Sequence, residues 1–133
     1  MIQHYCLHCD DGTKLIHRRR DLTAQVRKQQ STVKRVSGWH CPNCREVEFD
    51  PGEGQRYGAA LEALAATVAA REAADLRAIR IRLGLTQKAA AELTGGGHNA
   101  FSRYERGEVR PLPAVINLFR VLDMHPELLD QLR

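Results

Sequence analysis

The sequence predicts an α+β chain in two modules, a small β-rich one followed by an all-α one. Three observations predict it. All four cysteines fall within the first 44 residues, as Cys6-Leu7-His8-Cys9 and Cys41-Pro42-Asn43-Cys44. The stretch between them is rich in β-branched and apolar residues set among charges. Beyond residue 58 the chain turns alanine-rich, with apolar residues at helical spacing and glycines where helices would stop.

A length of 133 residues allows one ordinary domain or two small ones. Only three Phe, three Tyr and one Trp are present, which argues against a single large aromatic core. Net charge is +4 and unevenly spread. Residues 1–50 carry nine Lys/Arg against six Asp/Glu, residues 51–76 two against four, and residues 77–133 again nine against six. Two basic modules thus flank a short acidic segment, a balance that suits a polyanionic partner. No run of about 18 apolar residues could span a membrane. The start "MIQHYCLHCDDGTK" has neither a basic n-region nor an apolar h-region, so a cytoplasmic protein is expected.

In a reducing compartment, disulfides explain two C-x-x-C turns poorly. A tetrahedral zinc site explains them well, because each turn holds two thiolates on one side of a bend and two bends close the coordination. The expectation is one structural zinc ion per chain, held by Cys6, Cys9, Cys41 and Cys44. Four thiolates leave no open position for a catalytic water. Gly12 suits the sharp turn after the first pair. His4, His8 and His40 lie near the knuckles and read as surface histidines rather than substitute ligands. The pairs are separated by 31 residues, so an insertion must fill the gap. Lys14–Arg18 and Ser31–Cys41 read as strands, while Asp21–Gln30 is ambiguous between strand and short helix. About fifty residues bury too little surface to be stable alone, and a metal would supply what the core lacks. The Arg18-Arg19-Arg20 run reads equally as a phosphate- or acid-binding site and as a solvated turn.

Pro51–Gly58, with three glycines and a proline, reads as a break between modules. From Ala59 onward, Leu61, Leu64, Val68, Leu76 and Ile79 fall roughly on one stripe of a helix. One long helix and two helices with Asp75 capping the second both fit. The resulting division is 1–50 for the zinc module, 51–74 for a partly helical linker and 75–133 for the helical domain.

Within that domain Gly84 ends a short amphipathic helix, and Thr86 caps the next, with Ala90 and Leu93 facing inward. Gly95-Gly96-Gly97 then breaks the chain before a further helix begins near His98 or Asn99. Helix, glycine turn and helix outline a helix-turn-helix. Counted at 100° per residue from Asn99, Arg103 falls at about 40°, Arg106 at about −20° and Ser102 at about −60°, on one face. Phe101 at about 200° and Tyr104 at about 140° fall on the other. Asn bonds adenine N6 and N7 together, and Arg bonds guanine O6 and N7 together. Asn99, Ser102, Arg103 and Arg106, with His98 beside them and Gln87 at the start of the preceding helix, are the candidate DNA contacts. The bland alternative has Asn99 as a cap and the arginines solvated. The flanking "LTQKAAAEL" and "YERG" weigh against it. Two more helices follow, with Pro113 and Pro126 near their starts. Leu112, Val115, Ile116, Leu118, Phe119, Val121 and Leu122 are expected to close the core of this five-helix domain. Leu128, Leu129 and Leu132 form a stripe that fits either core or a dimer contact.

"LTQKAAAELTGGGHNAFSRYERG" resembles the helix-turn-helix of the Cro/C1 class, and specifically that of the MqsA family of type II antitoxins. "NAFSRYE", the "VLDMHPELL" ending and two preceding C-x-x-C knuckles carry the resemblance over essentially the whole chain. It implies an N-terminal domain that holds structural zinc and contacts a cognate ribonuclease toxin. It implies a C-terminal domain that dimerises and binds double-stranded operator DNA, repressing its own operon. By motif position, Cys6, Cys9, Cys41 and Cys44 would be the zinc ligands and Asn99 and Arg103 the base contacts. His98 stands where a small apolar residue is more familiar, which bears on operator preference. A stand-alone zinc-containing transcription regulator is the runner-up. An enzyme is not expected, because no nucleophile–base pair, open metal site or phosphate-binding glycine motif is present.

Overall fold

A computed structural model describes residues 2–133. Strands β1 (Ile16–Val26), β2 (Gln29–His40) and β3 (Val47–Phe49) form an antiparallel sheet in that spatial order. Helix α1 (Glu53–Arg82) follows, then α2 (Gln87–Thr94), α3 (Ala100–Glu105), α4 (Pro113–Met124) and a terminal 3-10 helix (Pro126–Leu132). The chain divides into two compact units, one up to Ala66 and one from Thr67.

In the first unit, β1 and β2 pair from Ile16–His40 to Val26–Gln29, so the hairpin closes over Arg27 and Lys28. Asp21–Gln30, ambiguous in sequence, is strand on both sides of the turn at Arg27 and Lys28. Ala24 and Gln25 have little intrinsic preference for a strand, but pairing with β2 and the complete burial of Ala24 decide it. Ala24, Val33 and Val36 form the buried sheet face, covered by Leu22, Tyr57, Ala60, Leu61 and Leu64. A bulge between Arg20 and Leu22 is fixed by Asp21, whose carboxylate accepts the Arg35 N–H at 2.8 Å where Arg35 turns to φ +53°. Arg18, Arg19 and Arg20 are therefore exposed strand residues opposite Gly38, Ser37 and Val36, not a turn.

The glycine-rich stretch after Pro51 is not a break. Gly52 alone takes a left-handed turn at φ +86°, and α1 starts at Glu53, taking in Gly54 and Gly58. Phe49 lies over Gly54, and the alanines beyond make helix propagation favourable enough to carry both glycines. No second helix starts at Asp75, because α1 continues to Arg82.

The second unit buries Leu76, Ile79, Leu85, Ala90, Ala91, Phe101, Ile116, Phe119, Leu122 and Leu129 together. Thr86 caps α2, its hydroxyl accepting the Ala89 N–H at 3.0 Å. Gly95, at φ +75°, closes α2 with its N–H on the carbonyls of Ala91 and Glu92. Pro113 and Pro126 both sit in first turns, where a missing N–H costs nothing. Two expected core residues are not core: Leu112 is 68% exposed and Val121 42%. On α4 the buried set is Ile116, Phe119 and Leu122, spaced three apart, and Val121 falls beside that stripe. In the terminal helix only Leu129 is buried, leaving Leu128 and Leu132 exposed.

Candidate metal centre and nucleic-acid interface

The sulfurs of Cys6, Cys9, Cys41 and Cys44 all lie within 4.8 Å of one another. Cys6 and Cys44 are 3.5 Å apart, and Cys9 and Cys41 3.8 Å. Tetrahedral zinc with Zn–S bonds of about 2.3 Å sets its sulfurs about 3.8 Å apart. The cluster is therefore close to the size that a tetrahedral metal ion needs. Two loops deliver it. Cys6 and Leu15 are anchored by backbone hydrogen bonds to Thr13 and His4, and the Tyr5–Lys14 bridge pins the base of the first knuckle. Cys41 follows directly from β2, with its N–H on the Glu46 carbonyl at 3.0 Å. Asn43 donates to the Thr13 hydroxyl at 3.1 Å and ties the knuckles together.

Backbone N–H groups point at the sulfurs: Cys9 onto Cys6, Asn43 and Cys44 onto Cys41, and Glu46 onto Cys44, each at 3.4 Å. Burial pushes the Cys41 thiol up, but the Asn43 and Cys44 N–H groups, together with hydrogen bonds from the Cys44 and Cys6 thiols, outweigh it and bring it down to about 7. Cys9 is pushed far up by burial and by the three neighbouring thiols. At Cys44 the Glu46 N–H pulls down, while burial and the thiols of Cys6 and Cys41 push up, with a net rise. Four thiolates in one buried pocket need a cation to offset their mutual repulsion.

None of the three nearby histidines joins the sulfur cluster among the described residues. His40 is not a surface residue: it is 1% exposed and its Nε2 donates to the Val36 carbonyl at 2.9 Å. His4 stacks on Trp39 at 4.0 Å and pairs with Glu48, while His17 meets the Trp39 edge at 5.1 Å and donates to Asp50. His8 is exposed.

In the second unit α3 has two unlike faces. Phe101 is fully buried against Phe119 and Tyr104, with ring centroids 5.1 and 5.5 Å away. Asn99, Arg103 and Arg106 are exposed, Ser102 is half-buried, and His98 is exposed just before them. Asn99 makes no side-chain capping hydrogen bond, so its amide is not committed to the helix end. Two candidates are tethered by hydrogen bonds, and Arg103 is ion-paired with Glu108 at 3.7 Å. Arg106 donates from Nε to the Ser102 carbonyl at 3.2 Å and from Nη2 to Glu108 at 3.4 Å. Gln87 is half-buried and donates to Glu105 at 3.3 Å.

That Glu105 is a residue sequence reading missed. Its carboxylate is 4% exposed and receives Arg80 through two bonds, Nε at 3.0 Å and Nη2 at 2.8 Å. Arg80 Nη1 also donates to the Leu85 carbonyl at 2.9 Å. The pair thereby ties the end of α1, the entry to α2 and the end of α3 into one arrangement. A signal was present: on the wheel that places Asn99 at 0°, Glu105 falls at about 240°, on the arc of Phe101. A carboxylate on an inner face needs a partner.

Among the described residues no helix is long and apolar enough to cross a membrane. A family model described as the antitoxin component of bacterial toxin-antitoxin systems, MqsA, matches residues 4–133. Antitoxin MqsA of Escherichia coli (strain K12) is 38% identical over 130 residues, which span 96% of this chain and 98% of that protein.

Proposed function

The chain belongs to the MqsA antitoxin family, and from that premise we propose that it neutralises a ribonuclease toxin by binding it and represses its own operon by binding operator DNA as a dimer. Neutralisation is by association, with no covalent chemistry on this chain. The first unit is the toxin-binding module, and a structural zinc ion on Cys6, Cys9, Cys41 and Cys44 holds its two knuckles together. The spacing of the four sulfurs supports zinc, and the closed ligand set supports a structural role rather than a catalytic one.

The observation that carries the DNA reading is the division of α3. Phe101 is locked in the core, which sets the rotation of the helix and turns the uncommitted Asn99 amide and the Arg103 guanidinium outward together. That is the arrangement a recognition helix needs, with its side chains held by packing behind them. Asn99 and Arg103 read base edges, Ser102 and His98 lie beside them, and Arg106 and Gln87 support the helix more than they read. Exposed Val121 and Met124 on α4, with Leu128 and Leu132 on the terminal helix, favour a dimer contact there.

The test is fluorescence anisotropy of the purified chain on the duplex upstream of its own reading frame, beside a scrambled duplex at the same salt. Asn99→Ala and Arg103→Ala are each expected to cost about 1–3 kcal/mol on the first duplex and little on the second. Equal affinity of the unaltered chain for both duplexes would remove the operator reading. Light scattering reports the dimer. Co-purification of a small ribonuclease encoded beside this chain, silent while bound, reports the antitoxin activity.

A further inference from the structure

We propose that Glu108 is a specificity-determining positioning residue. It holds Arg103 and Arg106 by their guanidinium edges and screens this surface against DNA of the wrong sequence. This role rests on the DNA reading proposed above. Glu108 lies directly after α3. Gly107 turns the chain left-handed at φ +75°, and the Glu108 N–H then closes on the Arg103 carbonyl at 2.9 Å. The turn brings the carboxylate back along the exposed face of the helix. Its Oε2 lies 3.7 Å from Arg103 Nε and 3.4 Å from Arg106 Nη2.

The atoms involved matter. The Arg103 pair is made at Nε, the inner edge of the guanidinium, at 3.7 Å, an ion pair longer than a hydrogen bond. The two terminal nitrogens form the fork that meets guanine O6 and N7. A carboxylate drawn to Nε orients Arg103 from the side away from that fork. Arg106 is held differently, with Nε on the Ser102 carbonyl and Nη2 on Glu108, so it braces the carboxylate.

A carboxylate beside two arginines has a second effect. Phosphates attract arginines whatever the sequence, and that attraction supplies most non-specific affinity. Glu108 neutralises part of it and repels phosphates that approach closely. On the operator, base contacts by Arg103 offset that repulsion. On other sequences nothing does. The side chain of Glu108 is 49% exposed, so the ion pairs add little to folding, and its removal leaves the domain folded.

The experiment uses the full-length, metal-loaded chain, with anisotropy on its own upstream duplex and on a scrambled one across a salt series. With Glu108→Gln, affinity for the scrambled duplex is expected to rise about 3- to 10-fold and its salt dependence to steepen by about one phosphate contact. The ratio of the two affinities falls accordingly. Glu108→Asp keeps the charge and is expected to keep scrambled-duplex affinity low, while losing discrimination at the base pair read by Arg103. An unaltered ratio in Glu108→Gln, beside an unaltered chain that does discriminate, would overturn the role of Glu108 alone. Loss of operator affinity with no change on the scrambled duplex would also overturn it, because that pattern belongs to direct readout of a base by the carboxylate. A chain that never discriminates would overturn the DNA reading, and this role with it.

Discussion

Asn99 and Phe101 are two positions apart and meet opposite environments, one in solvent and one fully buried. The second makes the first useful. Phe101→Ala is expected to destabilise the second unit by about 3–5 kcal/mol in urea unfolding, through lost burial and the cavity left between Tyr104 and Phe119. Glu105→Ala would strand the Arg80 guanidinium, 13% exposed, beside an empty site. A loss of about 3 kcal/mol is expected by the same measurement, larger than a surface ion pair could give. At this scale the sequence was legible where chemistry is local. The four cysteines announce themselves by type and spacing, and their sulfurs do come together. His40 did not announce itself, because its burial depends on a sheet not yet folded, and Glu105 showed its place on the inner arc of α3 but not its partner, 25 residues away.

Among the elements, the hairpin of β1 and β2 supplies Ser37 and His17 to two acid-sensitive carboxylates that lie beyond it in the chain. The Ser37 hydroxyl and then His17 hold the Asp50 carboxyl below its usual range. Arg56 and then the Ser37 N–H do the same for Glu53. Both folded-state values lie below the unfolded ones. Their stabilisation is complete above the ordinary carboxylate range of about 4 and is lost as pH falls through the lowered values. Ser37→Ala removes the largest cause at Asp50, so the acid unfolding midpoint followed by Trp39 fluorescence should move to higher pH. Elements were read well where pattern and caps agree, as for α2 with Thr86 before it and Gly95 after it. They were read poorly where packing overrides propensity. The glycines after Pro51 signal a break, yet α1 runs through them, and Leu112 reads as core by its apolar type although Pro113 marks it as preceding the first turn of α4.

For the whole molecule, two units with separate cores lead to a separable response to metal removal. Trp39 is the only tryptophan in the chain and packs against the cysteine cluster. Excess chelator should red-shift its emission and lower the thermal midpoint it reports. The transition of the second unit, followed through a Tyr104-proximal probe on α4, should hold its midpoint. Equal movement of both would show that the ion supports the entire chain. The α+β class and the presence of two modules were visible in the sequence, since cysteine placement and a change of hydrophobic period mark them. The inner boundaries were not, because one helix contains the segment that composition set apart as a linker.

The cysteine pairs belong to knuckles joined by a long hairpin, and Cys41 follows immediately on the pair Ile16–His40. A strand slipped by one residue turns every side chain to the opposite face. A mispaired β2 would therefore deliver Cys41 and Cys44 to the wrong side of Cys6 and Cys9, leaving the ion with two ligands instead of four. A bound ion would thus favour the correct strand alignment over a slipped one, because only the correct alignment presents all four sulfurs to it.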